Sequence, residues 1–577
     1  MGGIFICPRS SGESLDEVEE KYKRSLQVFD KKRLTLDRRL PRSSFVAYRF
    51  RKCIGDDSRW HFLDRQDGDF VLTSGTMIYN KKVGGSALAD LFEDFCEGQR
   101  IDKKLLGNYC VVICRNNQLW VFNDYLSYYP VYIDSTGTVI SNSYLAVART
   151  KPENQINIQE FFEFLLHGFF VDEKTILSHV YSIDSRKMWQ IYPKKLGLSR
   201  DANFMHFTQS DSLDDVVRNV EQSLCAYFET LGQAFGGKVG SALSGGYDTR
   251  LMLALIRKMG LDAYLHVYGD DDSSDVVVAK TIAGGESISL EHVDKSVFPN
   301  QDPDEFSSGM ESRLYFFDGL NPLGIIDDGR DIGTRLDRAK QASLQLNGAG
   351  GEIYREVWNL PDGRVDIDKF IRARFDRGAY AFCRSSFDRY TYFSSFGDKV
   401  KGKLEIDRSY LERNEAELMF ALVRNVFAAN NNSSNNQVSY ALLPFMEAQF
   451  VFPSATIPIK YKYYGQLQAA LINSIDPNLA KYNSSYGIDF SSPVPTSYKL
   501  KRVLERHVPL PVRLFKRKMA DRKKQVWPYL LSEKYLGRIV DLNNLQVSDL
   551  IDISKIRDAE IFTRALSIEL LLDATRH

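Results

Sequence analysis

Short apolar runs separated by turn residues dominate the chain up to about residue 205. Phe45-Val-Ala-Tyr-Arg-Phe, Phe70-Val-Leu-Thr-Ser and Cys110-Val-Val-Ile-Cys are β-branched or aromatic. Leu119-Trp-Val-Phe, Val131-Tyr-Ile and Thr138-Val-Ile-Ser follow across Gly, Asn and Asp turns. Strands this close, with few helical interruptions, predict stacked antiparallel sheets. Helical spacing of apolar residues predicts two interruptions, near 86–97 and 158–168.

The pattern then changes. Ser212 is a helix N-cap, and apolar residues keep helical spacing to about Leu231. A strand over Lys238–Leu243, a glycine turn, a helix over Thr249–Lys258 and a strand over Ala263–Tyr268 follow. Strand–helix–strand at this spacing predicts a parallel sheet. The remainder reads as mostly amphipathic helix, with a polar break at Asn430-Asn-Asn-Ser-Ser-Asn-Asn436. The expected fold class is α/β. An antiparallel-sheet domain over 1–205 precedes a parallel-sheet domain over 206–577 with a largely helical C-terminal part.

Length agrees with two domains, because 577 residues exceed one hydrophobic core. The 44% hydrophobic and 12% aromatic content excludes a disordered chain. Lys+Arg and Asp+Glu are 75 each, which argues against nucleic acid as the main partner. No apolar run reaches the length of a membrane span. Met1-Gly-Gly-Ile-Phe-Ile-Cys-Pro lacks the basic start and apolar stretch of a secretory signal, so a cytoplasmic location is expected. Seven scattered cysteines without CxxC predict reduced, mostly buried thiols, and Cys7 reads as a core residue of the first strand. One segment departs from the neutral background: residues 499–524 hold eleven Lys/Arg against Glu505 and Asp521. It predicts either solvated helices or a surface for an acidic substrate, carrier or phosphate.

The chemistry concentrates in Ser244-Gly245-Gly246-Tyr247-Asp248-Thr249, between a strand and a helix. Glycines there let backbone N–H groups crowd against an anion, and the helix adds unpaired amides and its positive dipole end. The hydroxyls of Ser244 and Thr249 are further donors. Asp248 would repel phosphates unless it holds Mg2+ beside them. No Lys follows the glycines, so this is not the P-loop. The SGGxD[ST] pattern resembles the pyrophosphate loop of the N-type ATP pyrophosphatases, among them asparagine, argininosuccinate and GMP synthetases. That resemblance implies ATP and Mg2+, with cleavage between the α- and β-phosphates and transfer of an adenylate to a substrate oxygen.

Further segments resemble the asparagine synthetase family, over residues 1–490. Met1-Gly2-Gly3-Ile4-Phe5 is similar to the Met-Cys-Gly-Ile-Phe start of class II amidotransferases. Gly75-Thr-Met-Ile78-Tyr79-Asn80, and Leu106-Gly107-Asn108-Tyr109 with Asn123-Asp124 through Pro130-Val-Tyr132, resemble their strand and hairpin. Asn347-Gly348-Ala349-Gly350-Gly351-Glu352 resembles Ser-Gly-x-Gly-x-Asp, and Pro444-Phe445-Met446-Glu447 resembles Pro-Phe-Leu-Asp. The resemblance implies nucleotide contacts from Leu243, Ser244 to Thr249, Gly348 and Gly350, with Val267 and Tyr268 flanking adenine. It also implies that Asp248 and Glu352 hold the metal, and that Glu447 and Lys481 act in catalysis.

The departures are as informative. Gly2 stands where the family has its nucleophilic cysteine. No Arg-Gly-Pro-Asp glutamine grip is recognisable, since Arg39-Leu-Pro-Arg42 is a poor substitute, and Gly85-Ser86-Ala87 lacks the expected acid. Relatives without the cysteine include beta-lactam synthetase and lasso-peptide cyclases, and others belong to surface-polysaccharide pathways. The expectation is an ATP-dependent enzyme joining a small-molecule or peptide carboxylate to an amine or ammonia without its own glutaminase. The alternatives are a catalytically silent scaffold and a synthetase fed ammonia by a separate glutaminase.

Overall fold

The computed structural model describes residues 2–65, 68–95, 101–152, 155–193, 195–200, 204–294, 296–326, 330–360, 362–424, 426–520 and 527–576. The N-terminal strands are β1 (Gly3–Pro8), β2 (Leu36–Pro41), β3 (Phe45–Phe50), β4 (Phe62–Asp64), β5 (Phe70–Tyr79) and β6 (Leu105–Arg115). They continue with β7 (Gln118–Asn123), β8 (Tyr132–Asp134), β9 (Ile140–Ser141), β10 (Val180–Ser182), β11 (Lys187–Tyr192) and β12 (Leu196–Ser199). Two six-stranded sheets result, ordered β10-β8-β9-β1-β3-β2 and β12-β11-β7-β6-β5-β4, with antiparallel pairing throughout.

Period-two alternation dictates how they stack. Ile4 and Ile6 of β1 share a core with Phe70, Leu72, Cys110 and Val112 of the second sheet. Phe5 and Cys7, at the alternate positions, face outward onto helices. Those helices are α1 (Leu15–Lys21), α2 (Lys23–Lys31), α4 (Tyr144–Ala148) and α5 (Ile158–His167), while α3 (Gly84–Asp94) covers the second sheet with Leu88, Leu91 and Phe92. The layers run helix, sheet, sheet, helix. The sequence pattern anticipates α3 and α5 but not α1 or α2. The reason is composition: α1 buries only Val18 in a run of charges, so its apolar period is too faint to read.

Helix α6 (Leu213–Phe235) opens the second region, capped by Ser212 and burying Val216, Val220, Leu224, Phe228 and Leu231 along one stripe. Strands β13 (Val239–Ala242), β14 (Ala263–Tyr268), β15 (Leu290–Val293), β16 (Leu344–Leu346) and β19 (Ala441–Leu442) form a parallel sheet ordered β15-β14-β13-β16-β19. A two-stranded ribbon, β17 (Val365–Asp366) with β18 (Tyr410–Leu411), lies apart from it. Helices α7 (Tyr247–Lys258) and α8 (Ser274–Gly285) connect the first three strands. The later helices used below are α9 (Arg330–Gln341), α10 (Val426–Val438), α11 (Gln466–Ile475), α12 (Thr496–Arg506) and α13 (Leu510–Ala520). The expected α/β architecture is the one observed.

The asparagine run corrects the sequence reading: it is no break but lies inside α10. Its amides find partners that the local sequence cannot show. Asn432 donates to Asn108 (3.0 Å), and Asn436 accepts from Thr76 (2.7 Å) while donating to the Ala441 carbonyl (2.9 Å). Asn431 accepts from Arg335 of α9 (2.6 Å), and Lys52 Nζ donates to the Asn436 carbonyl (2.8 Å). Asparagine is a poor helix former in isolation, but here polar contacts to β5 and β6 override propensity.

Candidate active site

Chain direction reverses across the parallel sheet between β13 and β16. From β13 the chain moves to β14 and β15 on one side, then returns to β16 on the other. Such a switch point leaves a crevice at the carboxyl ends of the two strands. The Ser244–Thr249 turn follows β13, and Asn347–Glu352 follows β16, so both motifs come to this crevice.

The turn is braced internally. Ser244 N–H donates to Thr249 Oγ1 (3.0 Å), and the two hydroxyls are 3.0 Å apart. Gly245 N–H already holds an anionic oxygen, Asp275 Oδ1 at 3.1 Å from the start of α8. Gly246 is the N-cap of α7, and no side chain caps that helix start. Tyr247 fixes the turn from below, stacking on Phe490 at 4.0 Å between ring centroids. The segment around Phe490 is itself tied down, because buried Arg250 donates to the carbonyls of Tyr482 (2.6 Å) and Asn483 (3.1 Å).

Asp248 meets the second loop. Gly348 packs against its backbone, and a Cβ on Gly351 would stand 2.5 Å from Asp248 Oδ1. Gly350 turns the chain there with φ at +98°. Arg355 Nη2 donates to both Asp248 oxygens, at 3.1 and 3.0 Å, and lies 3.8 Å from Glu352 Oε1. Gln468 of α11 adds a bond of 2.8 Å to Asp248 Oδ1. Burial first, then the negative charge of Asp248, pushes the Glu352 carboxyl above its ordinary value. Burial alone would lower the Arg355 pKa, but Asp248 and Glu352 beside it outweigh that and raise it. Two acids therefore converge on one cation.

Among the remaining expected residues, Val267 is buried at the end of β14 and Tyr268 carries Arg338 of α9 over its ring at 5.3 Å. Leu243 is fully buried behind the turn. Lys481 lies exposed, at the end of a short helix over Pro477–Ala480. Glu447 lies at the seam between the two regions: Oε1 accepts from Gly107 N–H (2.8 Å) and from the Tyr227 hydroxyl (2.9 Å). Burial pushes its pKa up to about 8. A cavity of about 280 Å3 opens beside it, lined also by Gly107, Asp124, Arg200, Phe204 and Met446. Burial raises Asp124 to about 7, although it accepts from the N–H groups of Tyr128 and Tyr129.

Sequence reasoning misses Arg355, Gln468 and Asp275. Only Arg355 leaves a trace, three residues after Glu352 on the same turn. The others arrive from distant helices.

At the amino terminus, Cys7 is a buried core thiol whose pKa burial raises. The Gly2 carbonyl accepts from Ser74, from Asn142 (3.1 Å) and from Tyr129 (3.3 Å). A Cβ on Gly2 would stand 2.9 Å from the Phe50 carbonyl oxygen. Arg39 pairs with Glu19 (3.0 Å), and Arg42 donates to the carbonyls of Gly68 and Pro41. Arg42 is thus engaged with the backbone, while Arg39 makes a half-exposed surface pair.

No family model matches this chain, and no curated protein matches it in sequence. Among solved structures it is similar to glutamine phosphoribosylpyrophosphate amidotransferase from B. subtilis, complexed with ADP and GMP. That likeness has 10% identity and a TM-score of 0.23, over 51% of this chain and 65% of that one. It is also similar to the U34-tRNA thiolase NcsA from Methanococcus maripaludis, at 10% identity and a TM-score of 0.23, over 60% of this chain and 95% of the thiolase. The chain thus spans under two thirds of the amidotransferase.

Proposed function

We propose that the chain is an ATP-dependent carbon–nitrogen ligase that adenylates a carboxylate and passes the acyl group to an amine or ammonia. One observation carries this reading. An uncapped helix start, two hydroxyls and two facing acids meet at the switch point of a parallel sheet. A substrate carboxylate oxygen attacks the α-phosphorus, the bond to the bridging oxygen breaks, and pyrophosphate leaves. The amine then attacks the acyl carbon, the carbon–oxygen bond breaks, AMP leaves, and the nitrogen gives up a proton. Adenylation is needed because a bare carboxylate oxygen is a poor leaving group.

The protein's part is to orient and to neutralise. The first amides of α7 and the Ser244 and Thr249 hydroxyls face the departing pyrophosphate. Asp275 at Gly245 N–H marks where an anionic oxygen is held. Asp248 and Glu352 fit Mg2+, which takes one or two carboxylates together with phosphate oxygens and water. The cation now between them, Arg355, shows that the pair accepts positive charge. When bound, Mg2+ supplies Lewis-acid neutralisation of the phosphates. The resemblance to cysteine-less synthetases supports a peptide or polysaccharide intermediate as the carboxylate. Gly2, without a side chain, supports an amine or free ammonia as the nitrogen source.

A specific observation favours the silent-scaffold reading as second: both Asp248 oxygens are already engaged by Arg355 and Gln468. Calorimetry with the α,β-methylene analogue of ATP separates the two. Magnesium-dependent binding that is weakened in Ser244→Ala supports the ligase. No heat at millimolar nucleotide leaves the scaffold.

A further inference from the structure

The basic segment is not spent by the reading above. It forms α12 and α13, and both leave large apolar side chains in solvent. Leu500 and Leu504 on α12 are 60% and 64% exposed; on α13, Phe515 is 65%, Met519 44% and Val512 42%. At ~100° per residue, Leu500 and Leu504 lie ~40° apart, with Lys499 and Lys501 ~100° to either side of Leu500. Val512, Phe515 and Met519 fall within ~60° on their helix, with exposed Lys516 at the margin. The two helices are fixed to each other: Arg513 donates to the carbonyls of Glu505 (2.9 Å), Arg506 (3.1 Å) and Val508 (2.9 Å). Residues 521–524, the last of the segment, lie outside the described residues.

We propose that this helical pair docks the protein on an anionic lipid bilayer surface. Leucines and phenylalanine flanked by lysines are the composition of helices that lie in a membrane interface. An acidic protein partner would also meet the charge, but side chains exposed by 60% or more project outward, whereas a partner-binding groove shields its apolar lining. Projecting anchors suit a flat bilayer. The one acid on the two helices, Glu505, is paired with Arg502 at 2.9 Å, so among the described residues of α12 and α13 no unpaired carboxylate faces the headgroups. Arg506, itself buried, ties α12 to the flank of the candidate site, pairing at 2.8 Å with buried Glu356, the residue after Arg355. Docking would set that flank of the crevice toward the bilayer, where an amphiphilic substrate is presented. The inference does not depend on the ligase reading, since its readout is binding alone.

Flotation of the full-length protein tests it, with vesicles of phosphatidylcholine alone and with about 30% phosphatidylglycerol. The expected result is co-flotation with the anionic vesicles only, weakened several-fold as salt rises from ~0.1 to ~0.5 M. Leu500→Ser with Phe515→Ser should lower partitioning about tenfold or more without moving the melting temperature, because both side chains are exposed. Lys499→Gln, Lys501→Gln and Lys516→Gln together should do the same. Absence of flotation with either vesicle overturns the proposal, as does unchanged flotation of the Ser variant. Saturable binding of an acidic amphipathic peptide through these residues, with no vesicle binding, assigns the surface to a protein partner instead and equally overturns it.

Discussion

Asp248→Asn is the most informative single change, because it separates the ion pair that the structure shows from the metal role proposed for the same side chain. The first is structural. Asp248 and Arg355 are 20% and 19% exposed and in contact at 3.0 Å, so the substitution strips a half-hidden guanidinium of its main counter-charge. Truncating one partner of a buried pair costs ~3–5 kcal/mol. Here Asn still accepts one hydrogen bond and Glu352 remains within 4 Å of the cation, which brings the cost to about 1–2 kcal/mol. With an unfolding entropy of about 1.2 kcal/mol/K for the 577 residues unfolding together, the melting temperature should fall by ~1–2 °C. The second role is electrostatic and much larger. A carboxylate–metal–phosphate contact contributes several kcal/mol, and at ~1.4 kcal/mol per tenfold, AMP release should fall by at least ~100-fold. Magnesium-dependent affinity for the ATP analogue should fall at least ~10-fold with it. The assays are differential scanning fluorimetry beside calorimetry, with and without EDTA. If Asp248→Asn melts lower but keeps its magnesium-dependent affinity, Asp248 serves only Arg355 and the metal assignment fails.

Three other outcomes are expected. Glutamine should not be hydrolysed, and Gly2→Cys should not restore hydrolysis, because the added Cβ meets the Phe50 carbonyl at 2.9 Å; glutamate release above background from either protein would contradict this. Glu447, raised to about 8 against an ordinary ~4.3, binds its proton more tightly folded than unfolded. Its contribution to stability is complete below pH ~4.3 and is lost as pH rises through about 8, so the melting temperature should decline over that window and Glu447→Gln should flatten the decline. Parallel curves for the two proteins would show that another group, Asp124 first, sets the slope. Asn436→Ala removes the acceptor of the Thr76 hydroxyl proton and the donor to the Ala441 carbonyl, leaving Thr76 only the bond it accepts from Ala441 N–H (3.0 Å), and should cost about 1–3 kcal/mol, read as a lower urea midpoint.

Much of this arrangement was legible in the amino-acid order. The β14 strand falls on Ala263–Tyr268 as the apolar run predicts, and the Ser244–Thr249 turn sits between strand and helix as its glycines require. Both are local signals. What the sequence hid depends on distant partners. Nothing near Gln468 marks it as a ligand of Asp248, 220 positions away. Arg355 pairs with Asp248 from a second loop, a contact that only the fold brings about. The asparagine run misleads for the same reason: its helix is stabilised by β5 and β6, and propensity cannot see them.

That run has a consequence for how the two halves can exist apart. A linker can be cut; a shared row of amides cannot be cut without opening the seam it closes on both sides. Releasing the first half would uncover Thr76, Asn108 and Lys52, whose ammonium burial holds down to about 7 in the intact chain. Water would take over these hydrogen bonds, but the apolar surface that the two halves bury against each other would be laid open with them. Expressed alone, each half would carry an uncovered apolar and amide-lined face, and aggregation of either fragment beside a monodisperse full chain is the expected outcome.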